Sequence, residues 1–383
     1  MMDEGSKKTY RALQKHLNKM PIGFPKSWNG CDIRLLQYLF TEDEARLALH
    51  LDYLPRGLET IRESIGDTSI PLEVLERAFH EMCKKGGITG KHGEDGWEYF
   101  LHPWVIGISD LATHSAWQFG RTTEPIQDMG GDFGIKFVLN TATIEQLMFR
   151  TIPISQSITP EHHIATYDEV RELIESSHGK FVSLPCMCKK NHKNEGKPCT
   201  RTNRIHTCMA LRDNADICIK TGIGQKITKE EALEIVRMNE EEGLVLQTEN
   251  AKKPNWLCGC CGDCCTILNS LKMFPRPFDF ARGNFQASIN EDSCVGCGTC
   301  ANRCHMGAIS IGSKRKVASI NIKRCIGCGV CVPTCKAGAI RLKRRAKEEE
   351  PEENRDSYMK LIDANKKNWY QKVGKLLKTL LKR

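Results

Sequence analysis

The chain has 383 residues, enough for two or three domains, and its 40% hydrophobic and 27% charged side chains fit a soluble globular protein. No run of eighteen apolar residues occurs, which excludes a spanning helix, and the formal charge of +9, concentrated toward the C-terminus, gives no argument for nucleic acid. Twenty cysteines decide more: the opening MMDEGSKKTYRALQKHLNKM lacks the order of a signal peptide, so the expectation is a cytoplasmic chain whose cysteines are thiolate ligands and not a disulfide framework.

After this polar lead, Ile33, Leu35, Leu36, Leu39 and Phe40 mark a short helix ending at Thr41. Thr41 and Glu44 form a capping box that opens a second. Pro55 is expected to open a third, through Leu58, Ile61 and Ile65, stopped by Gly66. Ser69 and Pro71 start a fourth, with Leu72, Leu75, Phe79 and Met82 on one face. The stretch ITGKHGEDGWEYFLH then reads as a hairpin. Helices followed by a β-wing resemble the winged helix-turn-helix domain, over residues 1–110. The exposed face of the fourth helix mixes Glu73, Glu76 and Glu81 with Arg77, His80, Lys84 and Lys85, which gives little attraction for phosphate. The expected role is therefore protein docking or structural in preference to DNA binding, and Cys31 and Cys83 read as small buried hydrophobes.

Residues 111–285 read as a small α/β unit that is rich in cysteine. PWVIGISDLATHSAWQFG suggests a helix, FRTIPI and KFVSLP suggest strands, and Tyr167 to Ile174 a helix between them. His162 and His163 are adjacent, and neighbours on a strand point opposite ways, so they are not a metal pair. Cys186, Cys188, Cys199 and Cys208 follow on a basic loop, with Cys218 one helix further on. Thr228 and Glu231 cap a helix that ends before Gly243, and a strand returns the chain to NWLCGCCGDCCTIL. There Cys258, Cys261 and Cys264 show a C-x2-C-x2-C spacing, with Cys260 and Cys265 beside them. The simplest arrangement is one [4Fe-4S] cluster on Cys186, Cys188, Cys199 and Cys208 and a second on Cys258, Cys261, Cys264 and one further thiolate. A single cluster drawing on both stretches, or zinc, which tolerates irregular spacing, are the alternatives. His192 and His206 are candidate replacements for a thiolate.

The segment from Cys294 to Cys335 holds two copies of C-x2-C-x2-C-x3-C. Three thiolates at every third position wrap three corners of an iron–sulfide cube, and the fourth ligand must come from elsewhere. Gly296, Gly298, Gly327 and Gly329 leave room for the loops to bend. Residues 286–343 resemble the bacterial-type ferredoxin domain, which implies two [4Fe-4S] clusters and one-electron transfer. The resemblance places one cluster on Cys294, Cys297, Cys300 and Cys335 and the other on Cys325, Cys328, Cys331 and Cys304. The proline that usually follows the last cysteine of each copy is here His305 and Lys336. Winged-helix-like start, CxC loop, CGCCGDCC run and C-terminal ferredoxin together resemble a group of ferredoxin-domain proteins of anaerobes, which implies the architecture and the clusters and no substrate.

Residues 344–383 are expected to be a charged linker, RLKRRAKEEEPEENRD, followed by a basic amphipathic helix through Trp369, Val373, Leu376, Leu377, Leu380 and Leu381. Such a helix lies on an anionic membrane, docks on an acidic partner, or folds back. The whole reads as an α+β multidomain electron-transfer protein or electron-input subunit with a redox partner protein, carrying two ferredoxin-type clusters and one or two further [4Fe-4S] clusters in the middle. The alternatives are an oxidoreductase whose middle cluster is catalytic and a redox-sensing winged-helix regulator.

Overall fold

The computed structural model describes residues 4–142, 144, 148–159, 162, 165–313, 316–366, 371 and 374. The chain divides into two compact units, the first built from residues 1–145, 213–225 and 359–376 and the second from 146–212, 226–358 and 377–383. The expected tail helix through Trp369 and Leu381, and also His163, lie outside the described residues.

The first unit opens with α1 (Glu4–Lys19), where a polar lead was expected. Tyr10, Leu13 and Leu17 share one face of it and are buried, and the Tyr10 hydroxyl donates to Phe40 O at 2.9 Å. Next come α2 (Cys31–Leu39) and α3 (Glu42–Ala48), the latter closed by the Thr41–Glu44 capping box. At Pro55 the chain first makes a short strand, β1 (Arg56–Gly57), and only then α4 (Leu58–Ile65). α5 (Leu72–Lys84) buries Leu75, Phe79, Met82 and Cys83. β2 (Thr89–Gly93) and β3 (Gly96–Phe100) form a hairpin, and β1 joins its other edge with Arg56 opposite Tyr99, giving the antiparallel order β1-β3-β2. α6 (Ser109–Gln118), α7 (Glu124–Gln127) and α8 (Asp132–Ala142) follow. Phe133 of α8 sits 4.8 Å from Phe24 and 5.6 Å from Trp104, ring centre to ring centre. Residues 111–142, which the sequence groups with the middle of the chain, thus share an aromatic core with the N-terminal part.

The second unit is organised on one sheet. In chain order it contains β4 (Phe149–Ile152), α9 (Val170–Glu175), β5 (Phe181–Leu184), α10 (Met187–Asn194) and β6 (Cys208–Leu211). α11 (Arg212–Thr221) follows, most of it in the first unit, and then β7 (Gln225–Lys226), α12 (Lys229–Glu241), β8 (Val245–Glu249), β9 (Trp256–Cys260), α13 (Thr266–Lys272) and β10 (Ala281–Arg282). The strand order is β10-β4-β8-β9-β6-β5-β7, antiparallel from β4 to β5, with β10 parallel to β4. Ile152, Phe181, Met209, Leu246 and Leu257 from the strands pack with Leu173 of α9 and Val236 of α12. The remainder is two antiparallel ribbons, β11 (Phe285–Ile289) with β14 (Ile340–Arg344), and β12 (Ile309–Ile311) with β13 (Ala318–Ile320), with α14 (Thr299–Arg303) between β11 and β12. α15 (Arg355–Ala364) follows β14 in the chain.

The charged block expected as a linker is held along the sheet. Arg150 of β4 is 1% exposed, donates twice to Asp168 Oδ1 at 2.8 and 2.6 Å, and reaches Glu349 O at 3.2 Å. Lys252 and Lys253 donate backbone N–H groups to Glu352 O and Glu353 O. A buried guanidinium must be paired, and the pairing recruits a segment whose composition alone reads as solvated.

Candidate metal centres

The two C-x2-C-x2-C-x3-C copies fold into loops that aim backbone N–H groups at sulfur. Ala287 N lies 3.4 Å from Cys325 Sγ, Ala308 N lies 3.3 Å from Cys304 Sγ, and Ala318 N lies 3.3 Å from Cys294 Sγ. Cys304, Cys325, Cys328 and Cys331 line one cavity together with Ala287, Ala308 and Ile309. Burial pushes the Cys328 thiol up to about 12, with Cys304 and Cys325 adding to it, and raises Cys331 for the same reasons. Burial likewise raises Cys300, with Cys297 and Cys294 adding to it. Cys335 packs with Cys294 and Cys300 in the core of this region. A set of thiols that raise one another's pKa when buried together fits a cationic iron–sulfur core, which replaces their protons. Gly327 shows why the loop needs glycine: its φ is +80°, and a Cβ there would stand 2.2 Å from Phe285 O.

The middle cysteines gather at one end of the sheet because of strand register. Cys208 on β6 stands opposite Cys258 on β9, and Leu184 at the end of β5 stands opposite Cys208. Cys186 follows β5 and caps α10, while Cys265 follows β9 and caps α13, so two helix N-termini, which favour thiolate, start here. The contacts between thiols close a ring: Cys186 meets Cys188 and Cys208, Cys188 meets Cys265, Cys265 meets Cys260, Cys260 meets Cys258, and Cys258 meets Cys208. Hydrogen bonds from both neighbours draw Cys258 down to about 5 and lower Cys186 and Cys265, and the donors Cys188, Cys208 and Cys260 are pushed up. Six thiols exceed the four ligands of a single zinc ion.

The other three middle cysteines form a separate group. Cys199, Cys261 and Cys264, with Asp263, bring one ligand atom each to within 4.8 Å of one another. Of the arrangements that the spacing leaves open, the positions of the nine thiols agree with one that draws on both stretches, Cys186, Cys188 and Cys208 lying with Cys258, Cys260 and Cys265. Between the two groups sits Lys189, 1% exposed, donating to Thr207 Oγ1 at 2.9 Å and Gly259 O at 2.6 Å. Burial acts against its charge, but the thiolates of Cys186, Cys208, Cys261 and Cys260 outweigh burial and raise its pKa.

His305, which replaces the usual proline after Cys304, is buried and reaches into the middle group. Its Nδ1 accepts from Gly262 N at 3.0 Å, and its Nε2 lies 2.7 Å from Gly243 O. Nε2 therefore carries the proton of a neutral ring, as burial, which lowers its pKa, also favours. Lys336 is exposed. Cys218 is buried on α11, its thiol pushed up to about 12 by burial, and Cys31 and Cys83 are buried in the first unit. His162 Nε2 lies 2.9 Å from Leu342 O, His206 shares a hydrogen bond with Ser183 Oγ at 3.0 Å, and His192 lies in the last turn of α10. Lys189 and Asp263 are two further residues of these sites. Asp263 was readable inside the CGDCC turn, but Lys189 has no signal among the other lysines of its loop.

The family described as the 4Fe-4S dicluster domain matches residues 286–336. No curated protein matches the chain. The region near the C-terminus is thus a ferredoxin-type 4Fe-4S domain, and with the cysteines gathered beside it the chain is of the iron–sulfur, electron-transferring kind. Among the described residues no helix is long and apolar enough to cross a membrane.

Proposed function

We propose that this chain is an electron-transfer protein or electron-input subunit in which two [4Fe-4S] clusters, on Cys294, Cys297, Cys300 and Cys335 and on Cys325, Cys328, Cys331 and Cys304, exchange single electrons with a third iron–sulfur centre in the ring of six thiols. One observation carries this reading. Cys304 and Cys328 of the ferredoxin-type domain and Cys258, Cys260 and Cys265 of the ring belong to one apolar cluster, with Val245, Leu268, Met306 and Ile326 packed among them. The bound clusters supply one-electron chemistry. The residues supply the rest: N–H groups of Ala287, Ala308 and Ala318 favour the charged sulfurs, the apolar packing excludes water between the two sites, and Lys189 offsets negative charge at the ring. Val295 is 72% exposed and Cys297 is also exposed, which favours the first cluster as the place where a redox partner protein meets the chain.

The element order from α2 to β3, with β1 on the wing, supports a winged-helix reading of the first unit, serving as a docking module in the cytoplasm. Glu76 of its α5 is paired with Lys220 at 2.9 Å, and the acidic residues of that helix favour a protein partner over DNA.

The test is iron and sulfide per chain after purification without oxygen, with EPR of the reduced protein. Roughly twelve or more irons are expected, against about eight for the ferredoxin-type domain alone. Cys265→Ser should remove the additional signal and spare the ferredoxin-type ones. A wild-type chain holding only about eight irons would end the three-centre reading.

A further inference from the structure

We infer that Cys199, Cys261, Cys264 and Asp263 bind a single divalent ion of the zinc class, which fastens the 195–202 loop to the turn after β9. This proposal stands apart from the electron-transfer reading, because it concerns the three middle thiols that the ring leaves over. Its first support is spacing. Cys199 Sγ lies 3.5 Å from Cys261 Sγ and 3.8 Å from Asp263 Oδ1. A tetrahedral ion with bonds of about 2.3 Å to sulfur and about 2.1 Å to oxygen puts its ligand atoms roughly 3.6–3.8 Å apart. Three thiolates and one carboxylate also make a closed set of four protein ligands, the pattern of a structural site.

The second support is how firmly the ligands are held. Asp263 Oδ2 accepts from Thr200 N at 2.7 Å and from Thr200 Oγ1 at 2.8 Å, which leaves Oδ1, steadied by Cys264 N at 3.1 Å, on the side of Cys199. Asn269 Nδ2 donates to Asp263 O at 3.0 Å, Lys272 Nζ donates to Gly262 O, and Gly262 N donates to His305. Cys261 and Cys264 are each 1% exposed beneath Leu244. Such outer contacts orient ligands before an ion arrives.

The experiment measures zinc and iron per chain in the full-length protein purified without oxygen, together with the X-ray absorption spectrum at the zinc edge. One zinc per chain with three sulfur neighbours and one oxygen neighbour is expected. Cys199→Ser and Asp263→Asn should each lower zinc occupancy by tenfold or more after dialysis against a chelator, with iron content and the reduced EPR signals unchanged. Three results would overturn the proposal: a wild-type chain with no zinc, a zinc spectrum with four sulfurs, or a Cys199→Ser chain that loses iron. The wild-type spectrum decides the matter even where a variant fails to fold. Iron and EPR report on the electron-transfer reading separately, so either can fail alone.

Discussion

Lys189 is a single charge placed where its effect should be measurable. It is buried beside the ring, and its hydrogen bonds go to neutral oxygens of Thr207 and Gly259 and to no carboxylate, so the charge it balances is that of the thiolates around it. A positive charge favours the reduced, more negative form of a nearby centre. Lys189→Met should therefore shift the midpoint potential of the ring's centre negative by on the order of tens of millivolts and leave the ferredoxin-type potentials in place. A redox titration followed by EPR reads this, and an unchanged midpoint would refute it. Asp168 makes a second case. Burial raises the pKa of its carboxyl even though Arg150 and Asn284 act to lower it, and both members of the pair are at most 1% exposed. Removing one partner strands a buried charge, so Asp168→Ala should cost about 3–5 kcal/mol in chemical denaturation. Neither residue was legible from the sequence, because a lysine in a basic loop and an aspartate before a helix are common, and only long-range packing distinguishes them.

At the level of elements, local signals read well and distant pairings did not. Both threonine capping boxes are formed as their spacing indicates, at Thr41 and at Thr228. Thr228→Ala should lower stability by about 1 kcal/mol, measured as a shift of the denaturant midpoint at constant slope. α1 carried a readable stripe at Tyr10, Leu13 and Leu17, hidden by the lysines around it. β1 has two residues and gets its identity from its partner β3, which no local pattern states. The same holds for the ring: the opposition of Cys208 and Cys258 follows from how β6 meets β9, which the spacing of cysteines along the chain does not state. In the ferredoxin-type region spacing marks the domain itself, matched over residues 286–336, since each run of three thiolates is local. Gly327→Ala should sharply reduce iron per chain, because its added carbon would press on the Phe285 carbonyl.

Across the whole molecule, the second unit fuses two cysteine-bearing parts that the sequence separates at residue 285. His305 joins them as a buried ring bonded at both nitrogens, to Gly262 N and Gly243 O. His305→Pro would restore the usual ferredoxin residue but leave that N–H and carbonyl without their partner, at about 1–3 kcal/mol for each buried group. Both ferredoxin-type EPR signals should persist in this variant, while rapid-freeze measurements show slower electron exchange with the ring. An unaltered exchange rate would mean that the apolar cluster around Met306 and Ile326 suffices. The ring also bears on how the protein is made. Its six cysteines come from β6, from β9 and from the first turns or N-caps of the helices that follow β5 and β9, so they converge only after those strands have paired. The ferredoxin-type runs need a few neighbouring residues and one returning cysteine each. Maturation should therefore proceed in two stages, with iron and sulfide entering the short runs on a partly folded chain and the ring filling last. During refolding with iron and sulfide, the ferredoxin-type spectrum should appear before the third signal, and a cell short of iron would accumulate chains charged at one end and vacant at the other.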